Sequence, residues 1–438
     1  MLETVRNAFK IKDIRNRIIF TLLVLVVVRI GTQLPVPGVD ADFFAEWFEE
    51  NSSSAVGFFG AITGGSFENM SVFALNVTPY ITATIIMQLL TIAIPKLEEL
   101  HKDGEEGRKK ITKITRFLTV GLAVMESLAM SIGFGRSGYL IEYNVINIIT
   151  AVVTLTAGST VIMWLGERIT ERGIGNGISV ILAANIISSL PQDFTSLYEQ
   201  FVSGQEVPVM VLRIAIIAAI VIAVVVFTVI LQGAERRIPV QYSRKVQGRK
   251  QVGGNSSHIP LKVNTAGVIP VIFAQSLFSF PLIIVQFAGI SIGTGIGGKI
   301  LMMLNQSYWF DKNNPIYSIG LAVYILLIIG FAYFYTTITF NPLEIADNMK
   351  KQGGFIPGIR PGKPTSDYLN KILNYIIFIG AIGLVIVSII PIFFEGVFNA
   401  SLSFGGTSII IIVGVIIETL KQVESRMLVR NYKGFLNN

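Results

Sequence analysis

Ten apolar runs separated by polar stretches constrain this chain more than any other feature. They cover Ile18–Leu34, Met70–Ile94, Phe117–Ile132, Ile146–Leu165, Ile174–Leu190, Val209–Leu231, Val263–Ile290, Ile316–Phe340, Ile372–Phe394 and Phe404–Val423. A bilayer crossing takes ~20 apolar residues as a helix, because hydrocarbon offers backbone N–H and C=O groups no partner outside the helix itself. The third, fifth and tenth runs are short or interrupted, whereas the second and seventh are long enough to cross at a tilt. Charged residues make up 14% of the chain, against ~25% in soluble domains. That leaves too little polar surface for a water-soluble enzyme of 438 residues. The expected fold class is an all-α polytopic membrane protein with ten transmembrane helices.

The basic residues give the orientation. Alternating the connecting segments across the membrane leaves only Arg136, Lys299 and Lys312 on one side; Arg29 and Arg213 fall inside runs, and every other Lys and Arg shares the opposite side. By the positive-inside rule that crowded side, which holds both termini, is cytoplasmic. A net charge of +7 thus conceals a strongly polarised molecule; by itself it would fit a nucleic-acid partner, an anionic lipid surface or retention of loops. The first run continues into GTQLPVPGVD (31–40), which lacks the small-x-small pattern of a cleavable signal peptide, so it is read as a retained span. The outer segment 191–208 divides the chain into halves 1–200 and 201–438, each with five runs. An odd number per half forces opposite orientations, the geometry of an inverted repeat.

Several chemistries are excluded. The chain has no cysteine and only two histidines, His101 and His258, so neither a metal nor a cofactor is expected. No Ser-His pair, paired Asp or HExxH lies within a run, and no GxxxxGK[ST] occurs, so no catalytic residue is assigned. Arg29, Glu126, Arg213 and Glu418 are the charged residues within the runs, mostly near ends where long side chains reach water. Such scarcity disfavours an ion-coupled secondary transporter of a small solute, the competing functional class. Pro79 and Pro270 fall inside the second and seventh runs, where each would remove a backbone hydrogen bond and bend its helix. They are either tolerated kinks or hinges in two walls of an opening.

The strings NVTPYITATIIMQLL (76–90), ERGIGNGISVILAANI (171–186), IPLKVNTAGVIPVIFAQS (259–276), GFIPGIRPGKPT (354–365) and GGTSIIII (405–412) together resemble the SecY family of protein-conducting channels, in order and over nearly the whole chain. The resemblance implies two inverted five-helix halves around a central hourglass pore, closed at mid-membrane by a ring of aliphatic side chains. Matched motif to motif, the ring is Val77, Ile81, Ile178, Leu182, Ile272 and Ile411. Family members favour isoleucine, so Val77 and Leu182 depart while staying aliphatic. Val77 with Ile81, and Ile178 with Leu182, are four apart and share a helix face. By residue type alone these are ordinary buried aliphatics; the resemblance selects the pore reading. A narrow apolar constriction expels water and ions yet offers a passing peptide no hydrogen bonds to trap it.

Residues Gly57, Phe58, Phe59, Gly60, Ala61, Ile62, Thr63, Gly64, Gly65, Ser66, Phe67, Glu68 and Asn69 are too few and too glycine-rich to cross the bilayer. Read from the residues they form a re-entrant or interfacial loop; the resemblance makes them the plug, a short re-entrant helix in the outer funnel. Asn76 stands where relatives usually carry glycine. The resemblance also implies a lateral gate to lipid between the second and third spans on one face and the seventh and eighth on the other. Thr82 and Gln88, with Asn264 and Thr265, are candidates for hydrogen bonds across it, and Pro79 and Pro270 for its hinges.

Two long cytoplasmic loops, 232–262 and 341–371, carry Arg236, Arg237, Arg244, Lys245, Arg249, Lys250, Lys350, Lys351, Arg360 and Lys363. Retention inside explains part of this charge. The resemblance makes the loops a docking face for the motor ATPase SecA or for the ribosome, whose RNA phosphates Arg and Lys contact without reading sequence. Other implied partners are the membrane subunits SecE and SecG, unfolded preproteins with their signal sequences, and anionic lipids of a bacterial plasma membrane. The expected function is passage of unfolded secretory polypeptides across that membrane, with lateral release of transmembrane segments and no enzymatic activity.

Overall fold

The computed structural model describes residues 2–51, 60, 63–138, 140–201, 207–242, 245–247, 250–252, 256–287, 295–310, 314–398 and 406–435. In the N-terminal half, α1 (Leu2–Lys10) leads into α2 (Lys12–Gly31), followed by the short α3 (Ala41–Asn51), α4 (Thr78–Ala93), α5 (Pro95–Lys102), α6 (Gly104–Ser137), α7 (Val145–Arg172) and α8 (Gly177–Phe201). The C-terminal half contains α9 (Val207–Gly233), α10 (Ile269–Phe287), α11 (Ile296–Leu304), α12 (Ser318–Thr339), α13 (Pro342–Lys351), α14 (Lys363–Phe398) and α15 (Gly406–Phe435). Among the described residues, five stretches are long and apolar enough to cross a membrane: 104–133, 145–172, 208–233, 315–351 and 363–393. The pair α4 and α5, bent by 102°, makes a sixth if taken as one broken span. The molecule is a multi-pass, mostly helical membrane protein. The third, fifth and tenth apolar runs lie on α6, α8 and α15, each extending past its run into polar sequence.

Two expectations need correction. Pro79 and Pro270 are not in helix interiors: α4 begins at Thr78 and α10 at Ile269, so each proline occupies the first turn. There its missing N–H costs nothing and its fixed φ favours the helix, so neither residue kinks its span. For the same reason the second and seventh runs are not long tilted helices. Residues 70–77 and 263–268 are turns and bends that lead into helices of 16 and 19 residues.

The helix contacts repeat between the halves. In the first, α2 packs against α7 and α8, α4 against α6, α6 against α7, and α7 against α8. In the second, α9 packs against α14 and α15, α10 against α12, α12 against α14, and α14 against α15. Numbered as spans within each half, these are the same five pairs. The halves meet through α8 with α15 and α6 with α10, and α1 also reaches α15.

The chain is not all-α, which is the third correction. The loop after α9 folds into β1 (Glu235–Tyr242), the small hairpin β2 (Lys245–Gln247) and β3 (Lys250–Val252), and β4 (Ser256–Lys262). β1 pairs antiparallel with β4, from Glu235 opposite Lys262 to Gln241 opposite Ser256. It also pairs with β5 (Gly354–Phe355) from the second loop. Alternation along β1 buries Ile238 and Val240 and exposes Pro239 between them and Arg237 and Gln241 on either side. The buried pair packs with Leu261, Met349, Ile356, Leu369 and Ile372, so the two long basic loops share a core.

Candidate functional site

All six aliphatic residues matched to the ring fall in one hydrophobic cluster. Val77, Leu182 and Ile411 are buried within it, and Ile81, Ile178 and Ile272 are partly buried against it. They arrive from four helices, α4, α8, α10 and α15, and each stands at the N-cap or within the first two turns of its helix. The cluster is wider than the six, taking in Val24 and Val28 of α2 and Ile162, Leu165 and Ile169 of α7. The residue types alone could not show this convergence, because the contributing helices are far apart in sequence. The six ring residues are all aliphatic, so their own side chains offer neither a ligand for an ion nor a hydrogen bond to trap a peptide.

Beside it lies the segment matched to the plug. Gly57, Phe58, Phe59, Ala61 and Ile62 lie outside the described residues. Gly60, Thr63, Gly64, Ser66 and Phe67 are buried, while Gly65, Glu68 and Asn69 are half-buried. The Phe67 ring packs in T-shaped fashion with Phe44 and Phe48, both on α3, at centroid separations of 5.5 and 6.0 Å. Buried polar groups hold the segment. Ser66 Oγ lies within hydrogen-bonding distance of the carbonyls of Thr63 (2.7 Å) and Phe73 (3.0 Å), and its single proton is given to one of them. Asn76 Nδ2 donates to the Thr63 carbonyl at 3.2 Å while Asn76 Oδ1 accepts from Val77 N at 2.8 Å. Ser159 Oγ of α7 donates to the Asn76 carbonyl at 3.1 Å. Asn76 has φ +48°, the left-handed region that asparagine enters more readily than other residues with a side chain. Asparagine is therefore compatible with the backbone at this position. Gly64, with φ +63°, also packs directly on the Asn185 backbone, where a Cβ would collide.

The residues matched to the lateral gate do not pair across it here. Thr82 and Gln88 are half-buried on α4. Thr265 Oγ1 donates locally to the Lys262 carbonyl at 2.8 Å. Asn264 packs at Gly380 of α14 with its Nδ2 buried and unpaired. Of the second, third, seventh and eighth spans, the third and seventh meet, α6 against α10.

In the two basic loops, Arg236, Arg237, Lys350, Lys351, Arg360 and Lys363 are all exposed. Lys245 and Lys250 lie on β2 and β3, while Arg244 and Arg249 lie outside the described residues. Arg237 is engaged with Glu235 at 2.7 Å, and its hydrogen bond holds that carboxyl below the usual carboxylate range. Lys350 and Lys351 end α13, where the helix dipole favours cations. The Arg360 carbonyl accepts from Thr365 Oγ1 at 2.8 Å, anchoring the turn that presents its guanidinium. Sequence reasoning missed the sheet beneath these residues, although the alternation in ERRIPVQY carried a strand signal.

The family model for SecY matches residues 71–420. A protein translocase subunit SecY of Streptomyces scabiei is 43% identical over 456 residues, covering 100% of both chains. A solved structure of SecY, described as showing that its plug domain stabilises the closed state of the translocation channel, aligns with a TM-score of 0.63 at 21% identity and covers 94% of this chain and 92% of that one. Sec61 in a canine ribosome–channel complex aligns with a TM-score of 0.57 at 19% identity, with the same coverages. The structural likenesses speak for the fold and the sequence matches for descent; the chain belongs to the SecY family.

Proposed function

We propose that this chain is the channel-forming subunit of a bacterial Sec translocase, with no catalytic activity of its own, passing unfolded polypeptides through the aliphatic waist. The observation that carries the reading is the gathering of Val77, Ile81, Ile178, Leu182, Ile272 and Ile411 from four helices into one cluster. In this reading ten spans cross the plasma membrane in two halves, 1–200 and 201–438, with both termini cytoplasmic. The repeated set of helix contacts supports two equivalent halves, and the one-sided distribution of Lys and Arg supports the orientation.

Segment 57–69 serves as the plug beneath the waist. The gate opens toward lipid where α6 meets α10, and a signal sequence enters there. The cytoplasmic sheet, α13 and the Arg360 turn receive SecA or the ribosome, with SecE and SecG as membrane partners and anionic lipids around the basic inner face. Support for the ribosome comes from the Sec61 complex, and for the motor from the exposed cations on a common core.

Replacing all six waist residues with serine tests the reading. Water and ions should then cross the resting channel in reconstituted vesicles, because hydroxyls wet the constriction; vesicles that stay tight would refute it. Arg360→Glu should leave insertion and folding intact but stop motor-driven export. Normal export from that variant would remove Arg360 from the docking face.

A further inference from the structure

Two neighbouring backbone carbonyls of the plug segment are each held by a side chain from outside it. The Thr63 carbonyl accepts from Asn76 Nδ2 at 3.2 Å, and the Gly64 carbonyl accepts from Arg29 Nη1 at 2.9 Å. Asn76 sits immediately before α4, the helix that brings Val77 and Ile81 to the waist, while Arg29 stands in the last turn of α2. We infer that Arg29 and Asn76 are positioning residues that form a two-point latch, holding the plug closed by gripping the Thr63 and Gly64 carbonyls from two different helices. The inference rests on the reading of segment 57–69 as the plug.

Geometry and chemistry agree on both points. Arg29 is a half-buried guanidinium in an apolar run, a placement that is costly unless its N–H groups are satisfied. The C-terminal end of α2 and the Gly64 carbonyl both present partial negative charge to it. The grip is on backbone, so it is indifferent to the plug's side chains. Asn76 is anchored in turn, because its Oδ1 accepts from Val77 N and its carbonyl from Ser159 Oγ. Movement of α4 therefore pulls on the donor that holds Thr63, which couples displacement of the waist helix to release of the plug. With glycine in place of Asn76 the backbone could keep φ +48°, but the Thr63 carbonyl would lose this donor.

The test uses the complete translocase in potassium-loaded vesicles, with resting ion leak as the readout. A chain lacking residues 60–69 serves as the unplugged reference and should leak most. Asn76→Gly removes only the side chain at a φ that glycine accepts, and should raise the leak about fivefold; Arg29→Met removes a charged donor of similar length and should raise it tenfold or more, at roughly the strengths of neutral and charge-assisted bonds. Arg29→Lys, which keeps a cationic donor, should restore most of the seal. A general structural role for Arg29 would not be rescued this way. The double variant should approach the unplugged reference. If the reference leaks while Asn76→Gly and Arg29→Met stay as tight as the parent, the latch is overturned and the plug stands. If the reference itself is tight, the plug reading fails and the latch with it. Should Arg29→Met fail to accumulate, Asn76→Gly decides alone, since it leaves every charge in place.

Discussion

The two halves enter their second helices by the same device and secure it differently. Ahead of α4, the Val72 carbonyl lies where a Cβ on Gly158 of α7 would be; ahead of α10, the Val263 carbonyl lies where a Cβ on Gly380 of α14 would be. In each half, then, a glycine on the fourth span admits the backbone of the segment leading into the second. The next residue on that fourth span separates them. Ser159 donates to the Asn76 carbonyl in the first half, whereas Ala381 has nothing to donate and Asn264 is left with a buried, unpaired Nδ2. The first lead-in is bonded to the plug on one side and to α7 on the other. The second is held by the bond from Val263 N to the Ala234 carbonyl (2.9 Å) and by packing on α14. Close approach is thus the shared requirement of the fold, and the side-chain bond from the residue after the glycine belongs to the half that carries the plug.

That comparison can be broken most forcefully at the glycines. Gly158→Val and Gly380→Val should each cost about 3 kcal/mol, since a rigid branched side chain must displace a backbone carbonyl rather than a flexible neighbour. Thermal unfolding of the purified complex measures this. Comparable losses are expected, and a tolerated valine at either site would mean that its lead-in is not held by the glycine. Ser159→Ala is the next largest, at about 1–2 kcal/mol, because the buried Asn76 carbonyl loses a donor. Asn264→Leu should be the smallest: near neutral, or stabilising by up to ~1 kcal/mol, since it removes a polar group that has no partner. A loss at Asn264 as large as that at Ser159 would show that the Asn264 side chain is hydrogen-bonded after all.

Much of the fold was legible because its main signals are local. Hydrophobicity accumulates over consecutive residues, and every apolar run lies largely on a helix. The i, i+4 spacing of Val77 with Ile81 and of Ile178 with Leu182 is likewise a property of one segment. The starts of α4 and α10 were misjudged because apolar residues continue through the lead-ins, so hydropathy does not mark where the helix begins. Pro79 and Pro270 did carry that mark, as first-turn residues rather than kinks. The sheet was missed because β1 meets β5 across more than a hundred residues, and neither partner signals the other. Arg29 was visible as an isolated charge in an apolar run, but nothing near it in sequence pointed to Gly64.

By itself the sequence determined that the chain is a multi-pass membrane protein with its basic residues heavily biased to one side, since the energies of desolvating apolar and charged groups are set residue by residue. Only the tertiary structure decided which aliphatics meet, which carbonyls Arg29, Asn76 and Ser159 reach, and which helix seals the seam between the halves. Those outcomes depend on packing and hydrogen bonds whose range is a few ångströms. Residues far apart along the chain feel them only after the helices have been brought together.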